Sequence, residues 1–188
     1  MAAPLFTIAN QITLLRMGLA PLLVILVVDG DLKWALAVFI LAGFTDLLDG
    51  FVARKSGQKT ELGAMLDPIA DKILLTSCFI ALTWTGSLLV RIPIWLTVVT
   101  LSRDAIIVIS VAVVNLAFGR RAFLPTLLGK ATTVCQILTV GVVLLLNAVG
   151  EPFPPVRFFF HLTLALTVTS ALHYTYQAST GRTGTPLP

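Results

Sequence analysis

Six stretches of this 188-residue chain are apolar over roughly the 20 residues a helix needs to cross a bilayer. They run from about Ile12 to Val28, Lys33 to Val52, Gly63 to Trp84, Ile92 to Phe118, Pro125 to Val149 and Val156 to Gln177. Between the first two, Asp29-Gly30-Asp31 makes a polar turn, and Glu151-Pro-Phe-Pro-Pro155 breaks the chain before the last. A short amphipathic lead-in around Phe6 to Gln11 precedes the first stretch, and no internal repeat is visible. The pattern predicts an all-α, polytopic membrane protein. One domain of six transmembrane helices would occupy residues 1–178, followed by a flexible tail over residues 179–188 that is rich in Gly, Thr and Pro.

Composition sharpens this. Hydrophobic residues make up 57% of the chain and charged residues 12%, about half the usual roughly 25% of a soluble domain. The mean hydropathy is +0.96. The net charge of +4 is spread out, without basic runs interleaved with aromatics, so nucleic acid is not an expected partner and anionic lipid headgroups are. Cys78 and Cys135 lie in apolar stretches without metal-ligand spacing and read as small buried hydrophobes. Nothing before Arg16 resembles the charged start of a signal peptide, so insertion is expected to be directed by the first membrane helix.

With six spans, Arg54, Lys55, Lys59, Arg120, Arg121 and Arg182 fall on one side, against Lys33, Arg91 and Arg157 on the other. The bias of basic residues toward the cytoplasm places both termini, and the loop between the second and third spans, on that side. Trp34, Trp84 and Trp95 fall near span ends, where an aromatic belt would put them.

One segment conflicts with its surroundings. Asp46 to Lys72 carries Asp46, Asp49, Asp67 and Asp71 inside or beside the second and third spans. On helices, Asp46 and Asp49 (i, i+3) share a face, as do Asp67 and Asp71 (i, i+4), and a short loop from Lys55 to Leu62 would let the two pairs converge. An acidic residue at mid-bilayer costs about 2.5–3.5 kcal/mol on insertion scales, against gains of about 0.3–0.6 for a Leu or Ile. Four such carboxylates are therefore either partly protonated or bridged by divalent cations. All-oxygen donors select hard ions, so Mg²⁺ or Mn²⁺ is expected, with Ca²⁺ the other candidate and zinc disfavoured by the lack of Cys or His. Gly50, Ala53 and Gly63 leave room either for close helix packing or for a ligand near the backbone. Arg54 would serve as a phosphate partner or as a cytoplasmic anchor.

The pattern Asp46-x2-Asp49-Gly50-x2-Ala53-Arg54-x8-Gly63-x3-Asp67-x3-Asp71 matches at every fixed position the signature of the CDP-alcohol phosphatidyltransferases, which this chain resembles from about Ile8 to Val140. The resemblance implies binding of CDP-diacylglycerol, transfer of its phosphatidyl group to an alcohol and release of CMP. It implies two metal ions on Asp46, Asp49, Asp67 and Asp71, with Asp71 also the general base. It places Gly50, Ala53 and Gly63 beside the cytidine and diphosphate, Arg54 on phosphate, and suggests a homodimer in the bacterial inner membrane with a cytoplasmic active site.

For the acceptor, Arg103-Asp104 in the fourth span and Lys130 in the fifth are the candidate pocket, with a purely structural Arg103–Asp104 partnership as the alternative. The runs RMGLAP, LAGFTDLLDGFVAR, LDPIADKIL and LSRD most resemble the cardiolipin-synthase branch, whose acceptor is phosphatidylglycerol. The phosphatidylglycerophosphate-synthase branch, which uses glycerol 3-phosphate, shows Arg-Glu and a second Arg eight residues after the first, where this chain has Val111. A dianionic acceptor wants that extra cation, so the resemblance tilts toward cardiolipin synthesis. A divalent-cation transporter would also explain converging carboxylates but not the spacing of Gly50, Ala53, Arg54 and Gly63. A non-catalytic scaffold explains still less. His161 and His173, twelve apart, and the Phe158–Phe160 cluster read as interfacial or packing residues.

Overall fold

The computed structural model describes residues 8–56, 61–118, 121–122, 127–179 and 185–186, with side chains described for residue 11 and residues 13–45, 69–109 and 127–176. Six helices carry the chain: α1 (Ile8–Asp29), α2 (Leu32–Ser56), α3 (Glu61–Trp84), α4 (Ile94–Phe118), α5 (Leu127–Val149) and α6 (Val156–Ser179). Each matches one apolar stretch to within a few residues. The Phe6–Gln11 lead-in lies partly outside the described residues, and from Ile8 onward it continues into α1 without a break. Beyond the helices, the described residues hold one two-residue antiparallel pairing, Arg121–Ala122 with Thr185–Pro186. The chain forms two compact units, Met1–Arg91 with Val140–Phe153, and Ile92–Thr139 with Pro154–Pro188.

The helix ends follow local chemistry. After α1, Gly30 takes a left-handed φ of 85°, its N–H reaches the carbonyl of Val27 (3.3 Å), and the N–H of Asp31 reaches that of Leu26 (2.9 Å). This is the paired bonding that closes a helix on a glycine and turns the chain within three residues. Gly150 ends α5 in the same conformation, at φ 80°. Pro93 and Pro155, which cannot extend a preceding helix, supply carbonyls that start α4 and α6.

In the first unit α1 packs against both α2 and α3. Its buried stripe is Thr13, Arg16, Leu19, Ala20, Leu23 and Val27, at helical spacing, and the buried positions of α2 and α3 include small or medium residues such as Ala35, Ala42, Ala70, Leu74 and Cys78. The opposite face of α1 is just as apolar, with Leu14, Leu15, Leu22, Ile25 and Val28 exposed. At the far end of this unit Asn147 on α5 binds both backbone groups of Val90. Its Nδ2 donates to the carbonyl (2.8 Å), and its Oδ1 accepts from the N–H (3.2 Å).

The second unit is inverted relative to a water-soluble bundle. Beside apolar residues such as Leu96, Cys135, Val156 and Phe160, its buried positions include many polar ones: Thr97, Thr100 and Arg103 on α4, Thr132, Gln136 and Thr139 on α5, Thr163, Thr167 and Ser170 on α6. Its exposed positions are apolar, including Ile106, Val108 and Ile109 on α4, Ile137 and Leu138 on α5, and Leu172 on α6. Hydrogen bonds therefore join its helices. The Thr132 hydroxyl is shared between the carbonyls of Leu128 and Leu166, and Thr163 Oγ1 sits 2.8 Å from Thr139 Oγ1 and 3.1 Å from Cys135 Sγ. Hydroxyls elsewhere, such as those of Thr83, Thr169 and Thr175, donate to the carbonyl four residues back. These hydroxyls are thus satisfied inside the protein, as a medium without water requires. Among the described residues two helical segments, Leu127–Val149 and Val156–Tyr176, are long and apolar enough to cross a membrane, and Leu32–Thr45 is apolar but shorter.

Both cysteines are buried and free, as their apolar surroundings imply. Phe160 is buried and Phe158 exposed, so the cluster divides between packing and surface. Trp34, Trp84 and Trp95 are all exposed, and Trp95 lies 5.9 Å from the His161 ring.

The Asn147 clamp gives a direct test. Asn147→Leu keeps the volume but strands the N–H and carbonyl of Val90, at a cost of about 1–3 kcal/mol. A lowered thermal midpoint in detergent, with faster amide exchange at Val90, is the expected result; an unchanged midpoint would show the clamp to be idle.

Candidate active site

The signature residues occupy the facing ends, in sequence, of two helices. α2 continues without interruption through Asp46, Asp49, Gly50, Ala53 and Arg54 to Ser56, and α3 begins at Glu61 and carries Gly63, Asp67 and Asp71. The expected loop from Lys55 to Leu62 is thus shorter, because Lys55 and Ser56 extend α2 and Glu61 and Leu62 already belong to α3. Helical register puts Asp46, Asp49, Gly50 and Ala53 on one side of α2, and Asp67 and Asp71 one turn apart on α3. The side chains of Asp46, Asp49, Ala53, Arg54 and Asp67, the surroundings of Gly50 and Gly63, and the convergence of the four carboxylates lie outside the described residues.

Asp71 is described, and its partner comes from an unexpected place. Arg16 of α1 donates from Nη1 to Asp71 Oδ1 at 2.7 Å. The Arg16 side chain is 1% exposed and that of Asp71 42%. A buried guanidinium is therefore docked against a carboxylate that stays partly open to its surroundings. Burying an unmatched charge costs several kcal/mol, so the ion pair is what permits Arg16 to lie in the α1 stripe. Sequence patterning assigns Arg16 no role. The available signal was a single cation inside an otherwise apolar helix, which by default marks a partner elsewhere.

The donor chemistry of the signature suits hard divalent cations: four carboxylates at helical spacing, with one buried cation offsetting part of their charge. The described residues by themselves contain no group of three or more metal-ligating side chains.

The candidate acceptor residues belong to the second unit. Arg103, 7% exposed, donates from Nη1 to Asp104 Oδ1 (2.8 Å) and from Nη2 to Ser170 Oγ (2.8 Å). Its Nε, together with Thr100 Oγ1 one turn away and Gln136 Nε2 on α5, is buried without a hydrogen-bond partner among the described residues. Lys130 on α5 is exposed. Val111 lies on α4, its side chain outside the described residues. The structure thus gives Arg103 the Asp104 partnership raised as the structural alternative, and leaves polar hydrogen-bonding capacity beside it.

A helical protein with an apolar exterior, polar interior stripes and a carboxylate signature at the junction of two helices defines a class of membrane-suited enzyme. The family model for CDP-alcohol phosphatidyltransferase matches residues 6–172. The chain belongs to that family. It is 37% identical over 152 residues to the human cardiolipin synthase (CMP-forming), covering 72% of this chain and 49% of the relative. Similarity also extends to a probable phosphatidylglycerophosphate synthase of Mycobacterium tuberculosis, 36% identical over 76% of this chain and 68% of the relative. It extends further to the CDP-diacylglycerol–glycerol-3-phosphate 3-phosphatidyltransferase of Bacillus subtilis, 32% identical over 90% of this chain and 94% of the relative. The chain spans about half the length of the human protein it matches.

Asp104→Asn keeps the shape and removes the charge opposite Arg103. Breaking a buried pair in this way costs about 3–5 kcal/mol, whereas Ser170→Ala, losing one hydrogen bond, costs about 1–3. Thermal unfolding in detergent should rank the two variants in that order; equal midpoints would contradict a structural Arg103–Asp104 pair.

Proposed function

We propose that this chain is a divalent-metal-dependent phosphatidyltransferase of the cytoplasmic face of a bacterial inner membrane, which moves the phosphatidyl group of CDP-diacylglycerol to phosphatidylglycerol and releases CMP. The observation that carries the reading is the complete carboxylate signature on α2 and α3, with its last member held by a buried arginine of α1. Six helices that match the six apolar stretches, and the apolar exterior of both units, support six membrane spans. The homodimer remains part of the proposal through family resemblance alone.

Asp46, Asp49, Asp67 and Asp71 would hold two Mg²⁺ or Mn²⁺ ions, which supply charge neutralisation on the diphosphate and on the attacking and leaving oxygens. Gly50, Ala53 and Gly63 would let the cytidine diphosphate approach the helix backbones, with Arg54 on a phosphate oxygen. The acceptor hydroxyl gives its proton to Asp71 and its oxygen forms the new bond to the phosphorus bearing diacylglycerol. The bond from that phosphorus to the bridging oxygen breaks, and the oxygen leaves with CMP. The acceptor pocket of this reading, Arg103, Asp104 and Lys130, rests on their being charges within the apolar stretches of the sequence.

The choice of acceptor rests on Arg103. Its charge is offset by Asp104 at 2.8 Å, and Val111 adds no second cation on α4. Such a site suits the single negative charge of a phosphodiester better than a dianionic monoester. The names of the M. tuberculosis and B. subtilis relatives favour a second reading, transfer to glycerol 3-phosphate.

Purified protein given labelled CDP-diacylglycerol with Mn²⁺ or Mg²⁺ separates the two. Cardiolipin formed from phosphatidylglycerol, with no lipid product from glycerol 3-phosphate, is expected. Phosphatidylglycerophosphate from the second acceptor would support the other reading, and metal flux through liposomes without CMP release would indicate a transporter. Asp71→Asn should lower kcat at least about 100-fold, the lower range of general-base catalysis, and EDTA should abolish turnover reversibly.

A further inference from the structure

Arg16 is a buried charge that the chemistry above does not use, and its placement is costly. The remainder of the buried α1 stripe, Thr13, Leu19, Ala20, Leu23 and Val27, is uncharged, so an uncharged residue at position 16 would complete the helix contact without desolvating a guanidinium. The arginine instead reaches 55 residues along the chain to α3 and takes one specific oxygen, Oδ1 of Asp71, at 2.7 Å. It does so from the buried side, while the Asp71 side chain keeps 42% of its surface open. A guanidinium bound to a carboxylate oxygen competes with a metal ion for it, since both need the same lone pairs.

We infer that Arg16 is a positioning residue for the carboxylate site: by holding Oδ1 of Asp71 it keeps that oxygen out of metal coordination and orients the carboxylate as the acceptor of the substrate proton. This rests on the assignment of Asp71 to the active site. The division of labour among the four aspartates then has a physical cause. Asp46, Asp49 and Asp67 are left as the principal ligands, and Asp71 is restrained from becoming a full one. A purely mechanical tie between α1 and α3 would need the same ion pair but would leave metal affinity indifferent to it.

Purified full-length wild type, Arg16→Gln, Arg16→Lys, Asp71→Asn and the Arg16→Gln/Asp71→Asn double variant distinguish these roles. Mn²⁺ affinity is read from the spectrum of free Mn²⁺, alongside kcat and KM for CDP-diacylglycerol. Arg16→Gln should bind Mn²⁺ at least about threefold tighter, because Oδ1 of Asp71 is then released to the metal. Its kcat should nevertheless fall at least about tenfold with KM changed less than about threefold, the pattern of an interaction that matters in the transition state. Arg16→Lys, which keeps the charge, should hold Mn²⁺ affinity within about twofold and recover most of the lost kcat. In the Asp71→Asn background Arg16→Gln should change neither quantity, as expected of a residue that acts through Asp71. Unchanged or weaker Mn²⁺ binding in Arg16→Gln overturns the inference, as does an Arg16→Gln effect that persists without Asp71. If Arg16→Gln does not fold, an Arg16→Lys variant with kcat lowered more than about 100-fold overturns it alone. Should Asp71→Asn match wild type in CMP release, the assignment of Asp71 itself fails and the inference with it.

Discussion

Charge in a medium without water must be matched, and in the first unit the match described is made by Arg16 and Asp71. The pair joins α1 to α3 at the last residue of the signature, and it lies within the buried stripe along which α1 packs. A buried ion pair is seldom the most stable way to dock two helices, since well-packed hydrophobes of similar volume often do as well or better. Retaining one beside a carboxylate signature therefore speaks for chemistry more than for stability.

The second unit meets the same constraint by other means. Arg103 is balanced by Asp104 and Ser170, and its threonines bond across helices or back along their own. With lipid-like side chains on the exterior, removing apolar surface from water cannot be what holds such helices together. Hydrogen bonds of about 0.6 kcal/mol each and close packing must do it. Among the described residues of this unit, Thr100 Oγ1, Arg103 Nε, Gln136 Nε2, His173 Nδ1 and the Tyr174 hydroxyl are buried without hydrogen-bond partners, against the general rule for buried polar atoms.

Most of the helical layout was legible in the sequence because its signals are local. Apolar runs of the right length, the Asp29-Gly30-Asp31 turn and the Pro-rich break after Glu151 set boundaries that the helices respect within a few residues. The carboxylate signature was legible for the same reason, as fixed spacing on two helices. What was hidden depends on contacts between distant positions. Nothing near Arg16 in sequence points to Asp71, and nothing near Asn147 points to the backbone of Val90. Arg103 is legible as a charge inside the fourth apolar stretch, and its partner Asp104 is adjacent, but Ser170, 67 residues away, is not foreseeable. The loop between α2 and α3 was read too long because Lys55, Ser56 and Glu61 are polar yet compatible with helix, so hydropathy ends before the helix does.

The central claim is that the carboxylates of α2 and α3 exist to hold divalent cations. Its most direct test is the stoichiometry of Mn²⁺ bound at equilibrium by the purified wild-type protein, with Asp46→Asn and Asp49→Asn as controls. Saturable binding of about two ions per chain is expected, removable by EDTA and strongly weakened in either control. A wild-type protein that releases CMP from CDP-diacylglycerol while binding no Mn²⁺ or Mg²⁺ would contradict it.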